Sequence, residues 1–273
     1  MVYYIYQNKN GGIRMYIDRP ALKRQAKNLI SSSKPQPIVV GLVYVLLILL
    51  ISWLSGKMSG LDFSTNELIE YSNYITQGDV DSALYLIENH VPNSGMRFVG
   101  LLLNIISMVL SAGFTIFLLN TIRMQAACFG NLLDGFGMFF RIIWLDILQT
   151  VFITLWSLLL VVPGIIAAYR YRLALYLLLD HPEMSAMDCI RESKRIMSGN
   201  KGQLFVLDLS FIGWWILAAI PIVGLFVRVW VVPYTQMTYA LYYTTLTGTN
   251  APGAIPGDGS AQDEPHEEHP WEN

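Results

Sequence analysis

Charged side chains are scarce in this sequence. Asp, Glu, Lys and Arg together make up 14% of the 273 residues. Soluble domains carry about 25% of these residues. Hydrophobic residues reach 53%, and the mean hydropathy is +0.43. This composition excludes an ordinary soluble domain and indicates a protein whose solvent is a lipid bilayer.

Cysteine is nearly absent, since the chain contains only Cys128 and Cys189. Both fall in segments that the charge distribution assigns to the cytoplasmic side, so we expect free thiols and no disulfide framework. A small-residue cleavage site is also missing after the basic N-terminal stretch. The first apolar run is therefore predicted to be an uncleaved membrane helix.

Catalytic and metal-binding motifs are missing as well. The His-Glu-Glu-His run at residues 266–269 lacks the H-E-x-x-H spacing of zinc proteases, and residues 198–203 lack the spacing of a phosphate-binding loop. No Ser-His-Asp or Cys-His set can be assembled from the sequence. We therefore expect no enzymatic activity, no cofactor and no bound metal.

Long apolar runs are what the sequence does contain. Residues 142–179 would form a helix about 57 Å long, nearly twice the ~30 Å hydrocarbon core, so the run must fold back. Pro163 and Gly164 mark that turn, and Pro221 and Gly224 mark a second one. The sequence thus predicts an all-α polytopic membrane bundle of about six spans, at residues 38–54, 98–119, 142–162, 164–179, 204–220 and 222–246.

Basic residues orient these spans. They concentrate before the first span, between the second and third, and between the fourth and fifth, whereas residues 55–96 are acidic. Because loops rich in Lys and Arg stay in the cytoplasm, both termini are predicted to be cytoplasmic in a bacterial plasma membrane. A short helix is predicted in the outer loop, around Asp81–Asn89.

The two ends of the chain lie outside the predicted membrane domain of residues 15–246. Met15 directly precedes the first convincing helix signal, so residues 1–14 are interpreted as a leader or as a mis-assigned start, with a genuine disordered leader as the alternative. Residues 247–273 are rich in Gly, Pro and acid, and are predicted to be a disordered tail.

Two amphipathic helices are predicted at the cytoplasmic membrane surface. The first follows Asp18, a suitable N-cap, and the second follows Ser185 and ends at Gly199. Anionic headgroups are the expected partner of the first helix rather than nucleic acid, and the second could also dock a protein partner or another copy. The residues of this candidate lipid or partner surface are Lys23, Arg24, Lys27, Arg191, Lys194 and Arg195.

Five ionisable residues fall inside predicted spans: Asp146, Arg170, Arg172, Asp208 and Arg228. Each would cost several kcal/mol facing lipid at mid-depth, so it should face the bundle interior, pair, or reach an interface. One hypothesis places them around a polar cavity. In the alternative, the arginines reach outer headgroups or loop carboxylates and the aspartates take part in local networks.

One long stretch carries a family resemblance. It runs PGIIAAYRYRLALYLLLDHPEMSAMDCIRESKRIMSGNKGQLFVLDLSFIGWWIL, is preceded by LKRQAKNLI and is followed by VWVVPYTQMTYALYY. From about Met15 to Leu246 the chain resembles the bacterial domain-of-unknown-function family 975. The resemblance implies a multi-span bacterial membrane protein and supplies no activity, substrate or functional residues.

Two functions fit the sequence. A membrane scaffold or accessory subunit predicts a packed interior, with function in the amphipathic helices. A transporter or permease-like component predicts a water-accessible cavity lined by the five intramembrane residues.

Overall fold

The computed structural model describes residues 3–7, 13–59, 65–90, 94–220 and 223–249. Two strands, β1 (Tyr3–Gln7) and β2 (Ile13–Ile17), precede a chain of helices. The helices are α1 (Arg19–Ser32), α2 (Pro37–Ser59), α3 (Thr65–Gln77), α4 (Val80–His90), α5 (Ser94–Ile122), α6 (Asn131–Asp134), α7 (Phe139–Leu159), α8 (Val161–Tyr171), α9 (Ala174–Asp180), α10 (Ala186–Ile196), α11 (Lys201–Leu209), α12 (Ile212–Ala218) and α13 (Val223–Thr247). The helical class predicted from the sequence is confirmed.

The strands form a two-stranded antiparallel hairpin, with Tyr3 opposite Ile17. No strand was predicted from the sequence in this region. Its second strand contains Met15, and the Ile17 N–H donates to Gln203 Oε1 at 2.9 Å, at the start of α11. The assignment of residues 1–14 as a leader stays a prediction, and residues 8–12 lie outside the described residues.

Four helical segments are long and apolar enough to cross a membrane: Pro37–Met58, Gly95–Ile122, Asn131–Leu159 and Val161–Asp180. The third segment includes α6 and a short 3-10 helix at Gly135–Met138 ahead of α7. These four segments indicate that the chain is a membrane protein. A count of six spans remains a prediction.

The last two predicted spans differ from the first four. Residues 204–220 form two short helices, because the helix breaks at Ser210 and Phe211 between α11 and α12. Residues 222–246 form one helix, α13, with Arg228 near its start and Pro233 within it. Helices α11 and α12, of 9 and 7 residues, are each too short to span a membrane, and the 25-residue α13 is long enough but not apolar enough.

The apolar surface of the bundle faces outward on several helices. Phe140 and Leu158 on α7 are 82% and 85% exposed, and Phe226 on α13 is 74% exposed. Exposed apolar side chains on helices of this length match a lipid environment. The packed core lies elsewhere, around the C-terminal half of α13.

That half of α13 is buried on all sides. Tyr242, Tyr243 and Met237 are at most 1% exposed, and the polar Thr235 and Thr238 are equally buried. The threonine hydroxyls donate to backbone carbonyls one turn earlier in the helix, which satisfies them without an external partner. A helix buried on most of its surface is a core helix, and α13 packs against α1, α2, α5 and α12.

The two amphipathic helices form where they are predicted. The Asp18 side chain caps α1 by accepting from the Ala21 N–H, and the Ser185 side chain caps α10 by accepting from the Asp188 N–H. Leu22 and Ala26 of α1 are completely buried, and α1 packs against α13 and α2. The apolar face of α1 therefore packs on protein, a contact that its amphipathic pattern alone does not predict.

The acidic loop between the first two spans contains two helices. The short helix predicted around Asp81–Asn89 is present as α4. The preceding helix α3 lacked a clear sequence signal and was not predicted. The two helices pack against each other. The predicted tail lies outside the described residues from residue 250 onward.

Candidate functional site

Two of the five intramembrane ionisable residues lie beside interruptions in the helices. Arg172 stands at the break between α8 and α9, and Asp208 is the second-last residue of α11, directly before the break between α11 and α12. The Tyr169 hydroxyl donates to Asp208 Oδ2 at 2.8 Å and links the two broken helices. The structure thus brings the two breaks together through one tyrosine and one aspartate.

An aromatic ring lies beside both charged groups. The Arg172 guanidinium lies 5.0 Å from the centre of the Tyr239 ring on α13, a cation–π contact. No ion pair between Arg172 and Asp208 is found, although both residues are described. Asp208 Oδ1 is buried without a hydrogen-bond partner in the described structure. The Arg172 side chain is exposed and Asp208 is half-buried, so the cluster is a polar contact between three helices near the surface of the bundle, with one unsatisfied oxygen.

The other three residues lie in separate places. Asp146 lines a cavity of about 250 Å³ between α5, α7 and α9. The Arg170 side chain is half-buried, and Arg228 is exposed on the outward half of α13. No hydrogen bond or ion pair among the described residues joins any of these three to Arg172 or Asp208. Among the described residues, the cavity beside Asp146 is lined by none of the other four.

The break between α8 and α9 is braced by α10. The Ser193 hydroxyl donates to the Arg170 carbonyl at 2.8 Å and accepts from the Leu173 N–H at 3.2 Å. Ser193 is completely buried. A single hydroxyl therefore replaces backbone hydrogen bonds that the interrupted helix cannot make for itself.

Replacing Ser193 by alanine should lower the free energy of unfolding by about 1–3 kcal/mol, because a buried N–H and a carbonyl lose their partner. The measurement is unfolding by SDS, followed by tryptophan fluorescence. Ser198→Ala, at an exposed position just beyond α10, is the matched control and should change stability by less than about 0.5 kcal/mol. Equal effects of the two variants would contradict the bracing role.

The second break is braced by α1. Lys23 Nζ donates to the Ser210 carbonyl at 3.3 Å and lies 4.0 Å from the centre of the Phe211 ring. Burial lowers the pKa of Lys23, and neighbouring Arg19 lowers it further. Lys23, which the sequence assigns to a lipid or partner surface, is thus directed at the bundle, whereas Arg24 and Lys27 are exposed.

The outer face of α10 carries charges of both signs. Arg191 Nη1 donates to Asp188 Oδ1 at 2.8 Å, and Arg195 Nε donates to Glu192 Oε2 at 2.8 Å. The hydrogen bond from Arg195 holds the pKa of Glu192 below its usual value. Lys194 is exposed. Such a mixed-charge face matches a protein surface that carries both signs of charge better than it matches a uniformly anionic surface.

A buried ionic cluster was missed by the sequence reasoning. Arg123, just beyond α5, makes a bidentate pair with Asp180 at the end of α9, with N–O distances of 2.8 and 2.6 Å. The Tyr243 hydroxyl donates to Asp180 Oδ2 at 2.6 Å. The Asp180 side chain is only 2% exposed. The available signal was an Arg and an Asp at the ends of two spans predicted to finish on the same side.

Reactive and metal-binding groups are sparse. Both cysteines are free, as predicted. Burial, aided by nearby Asp188, raises the pKa of the Cys189 thiol to about 11, which keeps it protonated and unreactive. Among the described residues, no group of three or more His, Cys, Asp or Glu side chains is arranged to hold a metal ion.

Comparison with known proteins supports the family resemblance. A family model described as "Protein of unknown function (DUF975)" matches residues 157–250. The matched region begins near the end of α7 and covers both helix breaks, the whole of α10 and α13. No curated protein and no solved structure shows a significant match.

Proposed function

We propose that this protein is a multi-pass membrane scaffold or accessory subunit without catalytic activity, resident in a bacterial plasma membrane. The observation that carries the proposal is the separation of the five intramembrane ionisable residues. A transport pathway would be expected to gather them around water. Instead, Tyr169 contacts Asp208, Tyr239 contacts Arg172, and Asp146 lines a separate cavity.

The face through which such a subunit would act is the exposed side of α10. Cys189, Ile190 and Ser193 anchor the opposite side of α10 in the core. Rigid placement of Arg191 and Lys194 on the surface lowers the entropy lost on binding a partner. The partner would be a protein with a mixed-charge surface, or another copy of this chain. Exposed Arg24 and Lys27 would contact anionic headgroups.

Both termini are placed in the cytoplasm in this proposal. The basis is the distribution of Lys and Arg, which favours one side for α1, the Arg123 region and α10. The acidic α3 and α4 helices would then lie outside the cell.

A transporter is the second candidate, favoured by one specific observation. Both α8–α9 and α11–α12 are interrupted, and interrupted helices often form the binding sites of transporters. The two candidates differ in whether water reaches the interior of the bundle beside α13.

Cysteine accessibility separates these candidates. In a background lacking Cys128 and Cys189, we expect Thr238→Cys, on the completely buried face of α13, to resist a membrane-impermeant maleimide from both sides. Ser82→Cys on α4 should react in intact cells, and Lys194→Cys only after permeabilisation, which also tests the orientation. Labelling of Thr238→Cys would favour the transporter and contradict the scaffold.

A photo-crosslinking amino acid at position 194 tests the scaffold directly. We expect one adduct of defined mass in cells, and none of that mass from the outward-facing position 158. Adducts only to lipid at both positions would contradict a protein partner at α10.

A further inference from the structure

The cavity beside Asp146 is a partly open cleft lined by three helices. Ser111 and Met108 come from α5, Gln149 from α7, and Leu175 from α9. Its volume of about 250 Å³ is several times the ~30 Å³ share of one water molecule. The cavity is therefore large enough for a small organic molecule.

Asp146 is the charged member of this lining, and among the described residues it has no hydrogen-bond or ion-pair partner. Ile142 and Leu145 on the same helix are buried, whereas Ile147 is 46% exposed. Asp146 is itself exposed, so it lies where the core face of α7 meets the outward face and the cavity opens at the surface of the bundle. A carboxylate in this setting requires a counter-ion or a proton, because lipid and aliphatic side chains do not solvate its negative charge.

The remaining polar groups in the cavity are oxygen acceptors. Gln149 Nε2 donates to the Tyr171 carbonyl at 3.4 Å, which orients the amide and leaves Gln149 Oε1 as an acceptor. Ser111 supplies a hydroxyl oxygen. One carboxylate and two neutral oxygens form an incomplete ligand shell for a metal ion. The rest of the lining is apolar and consists of Met108, Ile142, Leu145 and Leu175.

We propose that this cavity binds a small organic ammonium ion, with Asp146 as its counter-ion. The positive charge would lie against the carboxylate, and the alkyl groups would contact Met108, Leu175 and the aliphatic side chains of α7. A preformed pocket with apolar walls and a few placed polar groups is the usual form of a small-molecule site. This binding does not depend on the scaffold proposal, because a non-transporting subunit can also carry a ligand.

Equilibrium dialysis of the purified full-length protein with radiolabelled tetraethylammonium tests the site. We expect saturable binding by the native chain, and a loss of affinity of about tenfold to a hundredfold in Asp146→Asn, since the amide keeps the shape and removes the charge. Asp146→Glu should retain binding. Asp208→Asn should bind as the native chain does, because Asp208 does not line this cavity.

Several outcomes would overturn the proposal. Absence of saturable binding to the native chain would mean that Asp146 is neutral or serves another role. Equal binding by the native chain and Asp146→Asn would show that Asp146 is not the counter-ion of the bound ammonium. Saturable binding of radiolabelled sodium that excludes tetraethylammonium would assign the cavity to an inorganic ion. Labelling of Thr238→Cys, which would overturn the scaffold proposal, leaves these expectations unchanged.

Discussion

Gly113→Ala is expected to lower the free energy of unfolding by about 3 kcal/mol or more, because it forces apart two segments whose backbones touch. A Cβ built on Gly113 would lie 2.1 Å from the Leu132 carbonyl oxygen of α6. That oxygen belongs to the backbone, so no side-chain rotation relieves the overlap. The reciprocal contact is equally tight, since a Cβ on Gly135 would lie 2.4 Å from the Val109 carbonyl oxygen.

Gly56→Ala is the matched control for this variant. Gly56 also lies within a long apolar helix, but a Cβ there meets nothing within 4 Å. Alanine favours a helix over glycine by about 1 kcal/mol, so this variant should be as stable as the native chain or slightly more stable. The measurement is unfolding by SDS followed by tryptophan fluorescence. Similar stability of the two variants would mean that α5 and α6 are not in close contact.

Asp180→Ala is expected to destabilise the protein by about 3–5 kcal/mol, because it leaves the charge of Arg123 buried without a partner. The guanidinium is only 13% exposed and makes both of its short contacts to this one carboxylate. The Tyr243 hydroxyl loses its acceptor in the same variant. Equilibrium unfolding of the purified chain measures the loss.

Two further variants identify the cause. The double variant Asp180→Leu with Arg123→Leu should recover most of the lost stability, since apolar residues often replace a buried pair without cost. Glu192→Ala breaks a pair with Arg195, whose side chain is 76% exposed, and should cost at most about 1 kcal/mol. If Asp180→Ala lowered the free energy of unfolding as little as Glu192→Ala does, the cluster would not hold the helix ends together.

Local features of the fold could be read directly from the sequence. Asp18 and Ser185 begin helices because a side-chain oxygen satisfies a free N–H in the first turn, which depends on residues three positions apart. A glycine in a long apolar run, such as Gly113, permits close helix contact because it lacks a side chain. The structure supplies the partner of Gly113, which is the backbone of α6. Each of these inferences uses chemistry carried by neighbouring residues.

The interruption of the helices was predicted only in part. Pro163 and Gly164 predicted a turn that the structure places at Leu160, three residues earlier, so that both lie in the first turn of α8. No proline or glycine stands at residues 172–173 or 210–211. Those breaks are stabilised by Ser193 and Lys23, which belong to other helices. A sequence pattern read within one helix cannot reveal a hydrogen bond that comes from another.

Hydropathy and side-chain period are local properties, so the sequence predicts the helical class, both amphipathic helices and the four segments that are long and apolar enough to span a membrane, although it predicts six. Only the tertiary structure decided which charges meet. Arg123 and Asp180 are 57 positions apart, and Tyr169 and Asp208 are 39 positions apart. Many pairings of the same charges are compatible with the same spans. The packing of α13 against its neighbours determines which of these charge pairings forms. Asp146 is left facing a cavity rather than a partner.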